Sequence, residues 1–277
     1  MPELPEVETI VRELRPALVG QRLSRPKLHA TDVLRGVRPA RLLATLRGNT
    51  VVEITRRAKH VVLRLGSGHR LIIQPRMTGA LIAYDRPRRP AERRYVVLEA
   101  GLGHGRCFVF RDVRRLGTVW LLDDAGWRSY TARIGPEPLA DDFDPARFDA
   151  CLAGTRQAIK KALMDQRRLA GVGNIYANEA LFRAGIDPSR PADRLDGAAR
   201  GRLYQAVQYV LSEAVEHRGS TVRDYRGGTG EPGEHQERLE VYGRGGEPCT
   251  RCGTRLATTH AIDGRHTTFC FRCQGGG

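Results

Sequence analysis

No stretch of this 277-residue chain approaches the ~18 uninterrupted apolar residues that a membrane-spanning helix requires. The N-terminus also lacks a basic segment followed by an apolar run, so no secretory leader is expected and the cytoplasm is the expected compartment. No internal repeat is present. Acidic residues are in deficit, with 31 Asp+Glu against 46 Lys+Arg, a formal net charge of +15 and a pI of about 10.2. Such an excess points to a polyanionic partner, most often nucleic acid. The excess is mostly arginine, which favours bidentate phosphate contacts. Cysteines number six. Cys107 and Cys151 stand alone and read as small buried apolar residues. The other four form two C-x-x-C pairs, which in a reducing compartment read as metal ligands, not disulfides. A hydrophobic content of 40% supports a folded core, and the length suits two domains or one plus a small module.

The opening run Met1-Pro2-Glu3-Leu4-Pro5-Glu6-Val7-Glu8 carries two prolines and three glutamates. Removal of Met1, usual before a small residue, would leave the ring nitrogen of Pro2 as a free secondary amine. An α-amino group titrates near ~8, so part of it is neutral and nucleophilic near neutral pH. Attack on a carbonyl-like carbon gives an iminium, and Glu3 sits beside it to move protons. Alternatively, Pro2 is an ordinary terminal residue and Glu3 a first-turn acid.

Helical periodicity of Val7, Ile10, Val11, Leu14 and Leu18 predicts an amphipathic helix over 6–15, with Pro16 kinking or ending it. The period then shortens. Strands are expected at 50–56, 60–65, 70–74, 80–84, 95–99, 106–111 and 118–122, without helices between them, as in an antiparallel sandwich or barrel. Residues 131–144, rich in Gly, Pro and Asp, read as a linker. Helices are expected at 145–152, 156–165, 174–184 and 197–217. A mobile glycine-rich loop is expected over 219–234.

Cys249-x-x-Cys252 and Cys270-x-x-Cys273 are separated by seventeen residues, 253–269, the spacing of a four-cysteine zinc ribbon. Four thiolates close a tetrahedral shell, so the zinc is structural. Arg265 flanks the hairpin turn expected at Asp263-Gly264, where it reaches a phosphate or lies solvated. In Leu169-Ala170-Gly171-Val172-Gly173-Asn174 a helix ends, two glycines turn the chain and Asn174 caps the next helix. Helix starts of this kind bind anions, although such corners are also common in ordinary helical domains. The runs around Arg56–Lys59–His60, Gln74–Met77–Gly79 and Arg111–Arg114–Gly117 are weaker signals on their own.

Together these segments resemble the formamidopyrimidine-DNA glycosylase family over essentially the whole chain. The resemblance is carried by MPELPEVE, AGVGNIYANEALFRAGIDP, GSTVRDY, VYGR and the cysteine ribbon, in that order. The related endonuclease VIII branch typically opens with PEGP. The resemblance implies an α+β multidomain fold: an N-terminal helix and antiparallel β-sandwich (1–130), the linker (131–144), a helix–two-turn–helix domain with a lesion loop (145–234) and a zinc finger (235–277). It implies a base-excision DNA glycosylase and AP lyase acting on oxidised purines, with Pro2 attacking C1′ and Glu3 donating the proton for ring opening and base release. Lys59 would assist elimination, and Arg265 would grip the flanking phosphates and support the second elimination. Lys160 and Asn174 match phosphate-contacting positions. Met77 and Arg114 match residues that fill the gap left by the flipped base. Leu116 stands where the family usually has phenylalanine, Arg93 where it often has histidine, and His235-Gln236-Glu237 where Phe-Gln-His is common. The implied cofactor is one structural Zn2+. The implied partner is double-stranded DNA with a damaged base, bound by a monomer at the bacterial nucleoid. Rival readings are an endonuclease VIII-like enzyme for oxidised pyrimidines or abasic sites, a non-catalytic binder of damaged DNA, and a generic zinc-ribbon nucleic-acid protein.

Overall fold

Helix α1 (Leu4–Leu18) begins where Pro5 occupies the first turn and Glu3 and Glu6 form a reciprocal capping box. The helix runs two residues past Pro16. The missing N–H costs only the bond to Arg12, because the helix ends anyway at Leu18 and Gly20 turns the chain with φ +81°. Its stripe of Val7, Ile10, Val11, Leu14 and Leu18 is fully buried. Each such side chain contributes about 2 kcal/mol on leaving water.

A computed structural model describes residues 1–221 and 225–275 in two compact units. The first comprises 1–132 together with 217–234, a segment the sequence assigned to the helical domain. After α1 come β1 (Ser24–Leu28), α2 (Pro39–Leu46), β2 (Val51–Arg57), β3 (His60–Leu65), β4 (Arg70–Gln74), β5 (Gly79–Tyr84), β6 (Val96–Gly103), β7 (Arg106–Asp112), β8 (Thr118–Leu122) and α3 (Asp124–Thr131). Two antiparallel sheets form, ordered β1-β6-β7-β5 and β2-β3-β4-β8. Leu81, Leu98, Phe108 and Phe110 from one and Val61, Leu63, Leu71 and Ile73 from the other share a core with α1, which makes a sandwich. Strand β6 continues through Gly101 and Gly103 as a bulged strand, beyond the end expected at 99. Strand β1 and helices α2 and α3 were not anticipated; α3 is short and has no fully buried residue, with Trp127 and Tyr130 half-buried on one face.

The loop at 219–234 is tied down at its described residues. Ala83 N–H donates to the Gly228 carbonyl at 3.1 Å. Glu13 Oε1 accepts from Arg218 Nη2 at 2.7 Å, and a Cβ on Gly227 would lie 2.3 Å from Glu13 Oε2. Val222, Arg223 and Asp224, central to the GSTVRDY run, lie outside the described residues.

The second unit comprises 133–216 and the residues from 235 onward. It contains α4 (Pro145–Leu152), α5 (Ile159–Met164), α6 (Asn174–Ala184), α7 (Gly197–Glu216), the hairpin of β9 (Ala257–Thr259) and β10 (Thr267–Phe269), and α8 (Phe271–Gln274). Residues 133–144 are not a free linker. Gly135 N–H bonds the Gln166 carbonyl at 2.8 Å, and a Cβ there would lie 2.5 Å from the Arg168 carbonyl. Helix α5 starts three residues later than expected because the strand-like segment before it is tied to 190–192 through Ile159 N–H to Arg190 and Ala192 N–H to Gln157. Glu179 on α6 is 4% exposed and accepts the N–H groups of Glu240, Val241 and Tyr242, which fixes the VYGR run against the helix. Burial pushes its carboxyl pKa upward, partly opposed by those three donors.

Candidate functional site

In the first unit, Pro2 is buried and Glu3 is 2% exposed, while Met1 stands out in solvent. Glu6, itself 1% exposed, holds this end of the chain with both oxygens. Oε2 accepts the Glu3 N–H at 2.8 Å and Oε1 accepts the Ser220 N–H at 2.7 Å. One carboxylate thus couples the N-terminus to the start of the glycine-rich loop. The loop approaches so closely that a Cβ on Gly219 would meet Glu6 Oε1 at 2.8 Å. The Tyr225 hydroxyl adds a bond to the Glu6 carbonyl at 3.2 Å. The second partner of Glu6 is more than two hundred residues away, so no local pattern in the sequence marks it.

Lys59 lies on the β2–β3 turn and is 5% exposed. Arg56 braces that turn, donating from Nε to Glu8 of α1 at 3.0 Å and from Nη1 to the Ala58 carbonyl at 3.1 Å. Ala58 has φ +50°, a conformation disfavoured for a residue with a Cβ, so the turn is held in shape by these contacts. On the other side of Lys59, His60 Nδ1 lies 3.1 Å from the Arg57 carbonyl and Nε2 lies 2.8 Å from the Tyr130 hydroxyl. The tautomer that satisfies both carries its proton on Nδ1 and accepts from tyrosine.

Met77 and Arg114 project from the β4–β5 and β7–β8 loops, with Arg114 Nη1 3.9 Å from the Met77 sulfur. Met77 and Leu116 are 41% and 42% exposed. Buried Asp112 holds the loops together, accepting from Thr78 Oγ1, from Arg114 N–H at 3.3 Å and from Gly117 N–H at 2.7 Å. Arg93 is exposed on a short 3-10 turn (Pro90–Arg93). That turn is attached to β7 by Arg111, which donates to the Arg94 and Ala91 carbonyls.

In the second unit, Arg265 is exposed at the tip of the β9–β10 hairpin. The four cysteine sulfurs at the base lie within 4.8 Å of one another, with Cys249–Cys273 at 3.9 Å and Cys252–Cys270 at 3.5 Å. A tetrahedral zinc with bonds of about 2.3 Å needs sulfurs roughly 3.8 Å apart, so the donor set fits. His260 and His266 are not part of this cluster.

Lys160 is fully buried. Its ammonium donates to Thr267 Oγ1 at 2.7 Å, the His266 carbonyl at 3.3 Å and Asp263 Oδ1 at 3.4 Å. The charge expected to face a phosphate is instead spent on the hairpin that presents Arg265. Asp263 Oδ1 also accepts the Arg265 N–H at 3.1 Å. Asn174 is the first residue of α6, not its cap, because Gly173 takes the cap position. Its side-chain amide donates to the same His266 carbonyl at 3.0 Å. Helices α5 and α6 therefore both brace the hairpin. The exposed cation before α5 is Arg156, whose side chain is 93% exposed and forms a long ion pair with Asp193 at 3.6 Å.

An N-terminal helix capped onto a β-sandwich, a helical unit and a four-thiol ribbon define the class of DNA-repair glycosylases built with a helix–two-turn–helix. Residues 1–119 match the formamidopyrimidine-DNA glycosylase N-terminal domain, 134–226 the formamidopyrimidine-DNA glycosylase H2TH domain, and 246–275 the zinc finger found in FPG and IleRS. The chain belongs to the formamidopyrimidine-DNA glycosylase family. It is 42% identical to the formamidopyrimidine-DNA glycosylase of Thermomicrobium roseum over 99% of both chains. It is also 42% identical to that of Moorella thermoacetica over 92% of this chain and 93% of the other. Its fold superposes on MutM (FPG) from Thermus thermophilus with a TM-score of 0.87 and 39% identity, covering all of both chains. It superposes on a Lactococcus lactis FPG variant in complex with Fapy-dG-containing DNA with a TM-score of 0.90 and 33% identity, covering 99% of this chain and all of the other.

Proposed function

We infer that this member of the family is a bifunctional glycosylase and abasic-site lyase that removes oxidised purines from double-stranded DNA, with Pro2 as its nucleophile. The reading is carried by the mounting of the N-terminus. A buried proline and a nearly buried glutamate are held by a capping box and by the loop start at Ser220, where a merely structural terminus would be free to fray.

The target sugar carbon is inaccessible in a stacked duplex, so the nucleotide has to leave the helix. Met77 and Arg114, bound to one another on two loops braced by Asp112, fill the gap. Leu116 offers apolar bulk beside them but no stacking face. Once Met1 is removed, the Pro2 nitrogen attacks C1′, the glycosidic bond breaks and its electron pair leaves with the base, and the amine proton is released. Glu3 protonates the ring oxygen as the sugar opens to the iminium. The iminium acidifies C2′–H, so loss of that proton expels the 3′ phosphate. A second elimination expels the 5′ phosphate. Lys59 supports the first elimination, and Arg265 steadies the flanking phosphates for the second. Zinc takes no part in the chemistry and fixes the hairpin that presents Arg265. Arg156 is the favoured phosphate contact of the α5 segment, with Lys160 and Asn174 as positioning residues. We place the enzyme at the bacterial nucleoid as a monomer.

Borohydride trapping on duplexes containing 8-oxoguanine or an abasic site tests the reading. A covalent adduct is expected, and it is lost in Pro2→Gly or when Met1 is retained. Absence of an adduct on both substrates would remove the nucleophile from Pro2. Excision of oxidised pyrimidines alone would favour the endonuclease VIII-like alternative.

A further inference from the structure

The β6–β7 hairpin carries a feature that the lesion chemistry does not use. A cavity of about 890 Å3 opens there, between the hairpin, the bulged strand β1 and the residues following α2. Six cationic or ionisable side chains line it: Arg22, Arg25, Lys27, Arg47, Arg106 and His104. No carboxylate lies among its lining residues. Two of the guanidinium groups are fixed by neutral acceptors. Arg22 Nε donates to the Gly48 carbonyl at 2.9 Å and Arg106 Nη2 donates to Gln21 Oε1 at 2.9 Å. A guanidinium held by a carbonyl keeps its full charge for a ligand, whereas one held by a carboxylate does not. The nearest acid in strand register, Glu99 opposite Lys27, is already engaged by His29 and Arg88.

The backbone is shaped to display these groups. The β1–β6 register slips between Ser24 and Lys27, a bulge of the kind that re-aims side chains. Arg25 sits in that bulge at φ +45°. On the opposite wall His104 has φ +50° and Gly105 φ +75°, in a tight turn where asparagine or glycine would be the unstrained choice before Gly105. Two ionisable side chains thus occupy strained positions facing one cavity, and such strain gathers at binding sites. Strand β7 leads from this cavity to the loop bearing Arg114. Its seven residues, at about 3.3 Å each, set the two roughly 20 Å apart.

We propose that this cavity binds a phosphate-bearing anion at a site separate from the residues that face the lesion. The volume suits a small ligand or one ridge of a polynucleotide backbone. The lining contains no phenylalanine, tyrosine or tryptophan on which a base would stack, so recognition is of phosphate and not of base. The phosphate has two sources, a second DNA segment or a free polyphosphate.

The test uses the full-length zinc-loaded protein, first saturated with a short abasic-analogue duplex so that the lesion-facing cations are occupied. Inorganic tripolyphosphate is titrated by calorimetry, and a labelled lesion-free duplex is titrated by fluorescence anisotropy. Wild type is compared with Arg25→Asn/Lys27→Gln/Arg47→Gln, all exposed positions, and with Arg47→Glu alone in case the triple variant is unstable. The expected result is binding by wild type that weakens at least tenfold in both variants. Single-turnover excision on a short lesion duplex should stay within twofold. Recruitment of the labelled duplex assigns the site to a second DNA segment, and binding of tripolyphosphate alone assigns it to a free polyphosphate. Equal binding of both probes by wild type and variants, or no binding by wild type, overturns the proposal.

Discussion

Replacing Lys160 with methionine separates two roles that the position could fill. Methionine keeps the length and apolar stem but removes the ammonium. The side chain of Lys160 is 0% exposed and that of its partner Asp263 is 8% exposed. Truncating one member of a buried ion pair costs about 3–5 kcal/mol, because the other charge is left in a low-dielectric site. Some of that cost is recovered here. Asp263 keeps the Arg265 N–H, and the His266 carbonyl keeps the Asn174 amide. We therefore expect a loss of about 3 kcal/mol in the second unit, read as a lower denaturant midpoint and faster zinc release to a chelator. Cleavage of abasic duplexes should fall more than tenfold, since the hairpin presenting Arg265 loses its brace from α5. The salt dependence of binding distinguishes the alternative. A phosphate contact at Lys160 would reduce the slope of log K against log salt by about one without touching stability. An unchanged midpoint with a reduced slope would refute the bracing role.

Cys249→Ala should reduce bound zinc from one ion to none by native mass spectrometry and abolish tight DNA binding, while persistent tight binding by the zinc-free variant would remove the finger from the interface. Gly227→Ala should displace Glu13 from Arg218 and Thr229, and so lower excision of a damaged base several-fold with a smaller effect on cleavage of a preformed abasic site; equal losses on both substrates would argue against a role of this loop in base recognition. Burial, with the Glu6 carboxylate nearby, holds the Tyr225 phenol above its ordinary range. A raised folded-state pKa contributes stability that is complete below the unfolded value of about 10 and is lost as pH rises beyond it. The unfolding free energy should therefore decline above pH ~10 in wild type, and this part of the slope should vanish in Tyr225→Phe. The same substitution should cost about 1 kcal/mol at neutral pH through its lost hydrogen bonds to Glu6 and Arg218.

Local order in the sequence was enough to place much of this protein. Strands β3, β4 and β8 and helices α4 and α6 fall where alternation and helical period put them, because those signals depend only on neighbours. The zinc cluster was legible for the same reason, since two short C-x-x-C turns already set the sulfurs in pairs. Strand β1 escaped because only one of its five residues is buried, and α3 because none is. The candidate site divided along the same line. Pro2, Glu3 and Arg265 were visible as residue types in motifs, but what holds them was not. Glu6 binds Ser220 across 214 residues, and Glu13 binds Arg218 across 205. The Lys160 ammonium points to a hairpin 107 residues away. Only the tertiary structure turns Asn174 from a cap into a brace and ties down the described residues of the glycine-rich loop. Periodicity and spacing record a residue's neighbours along the chain, whereas a buried charge is decided by whichever distant donor folding brings to it.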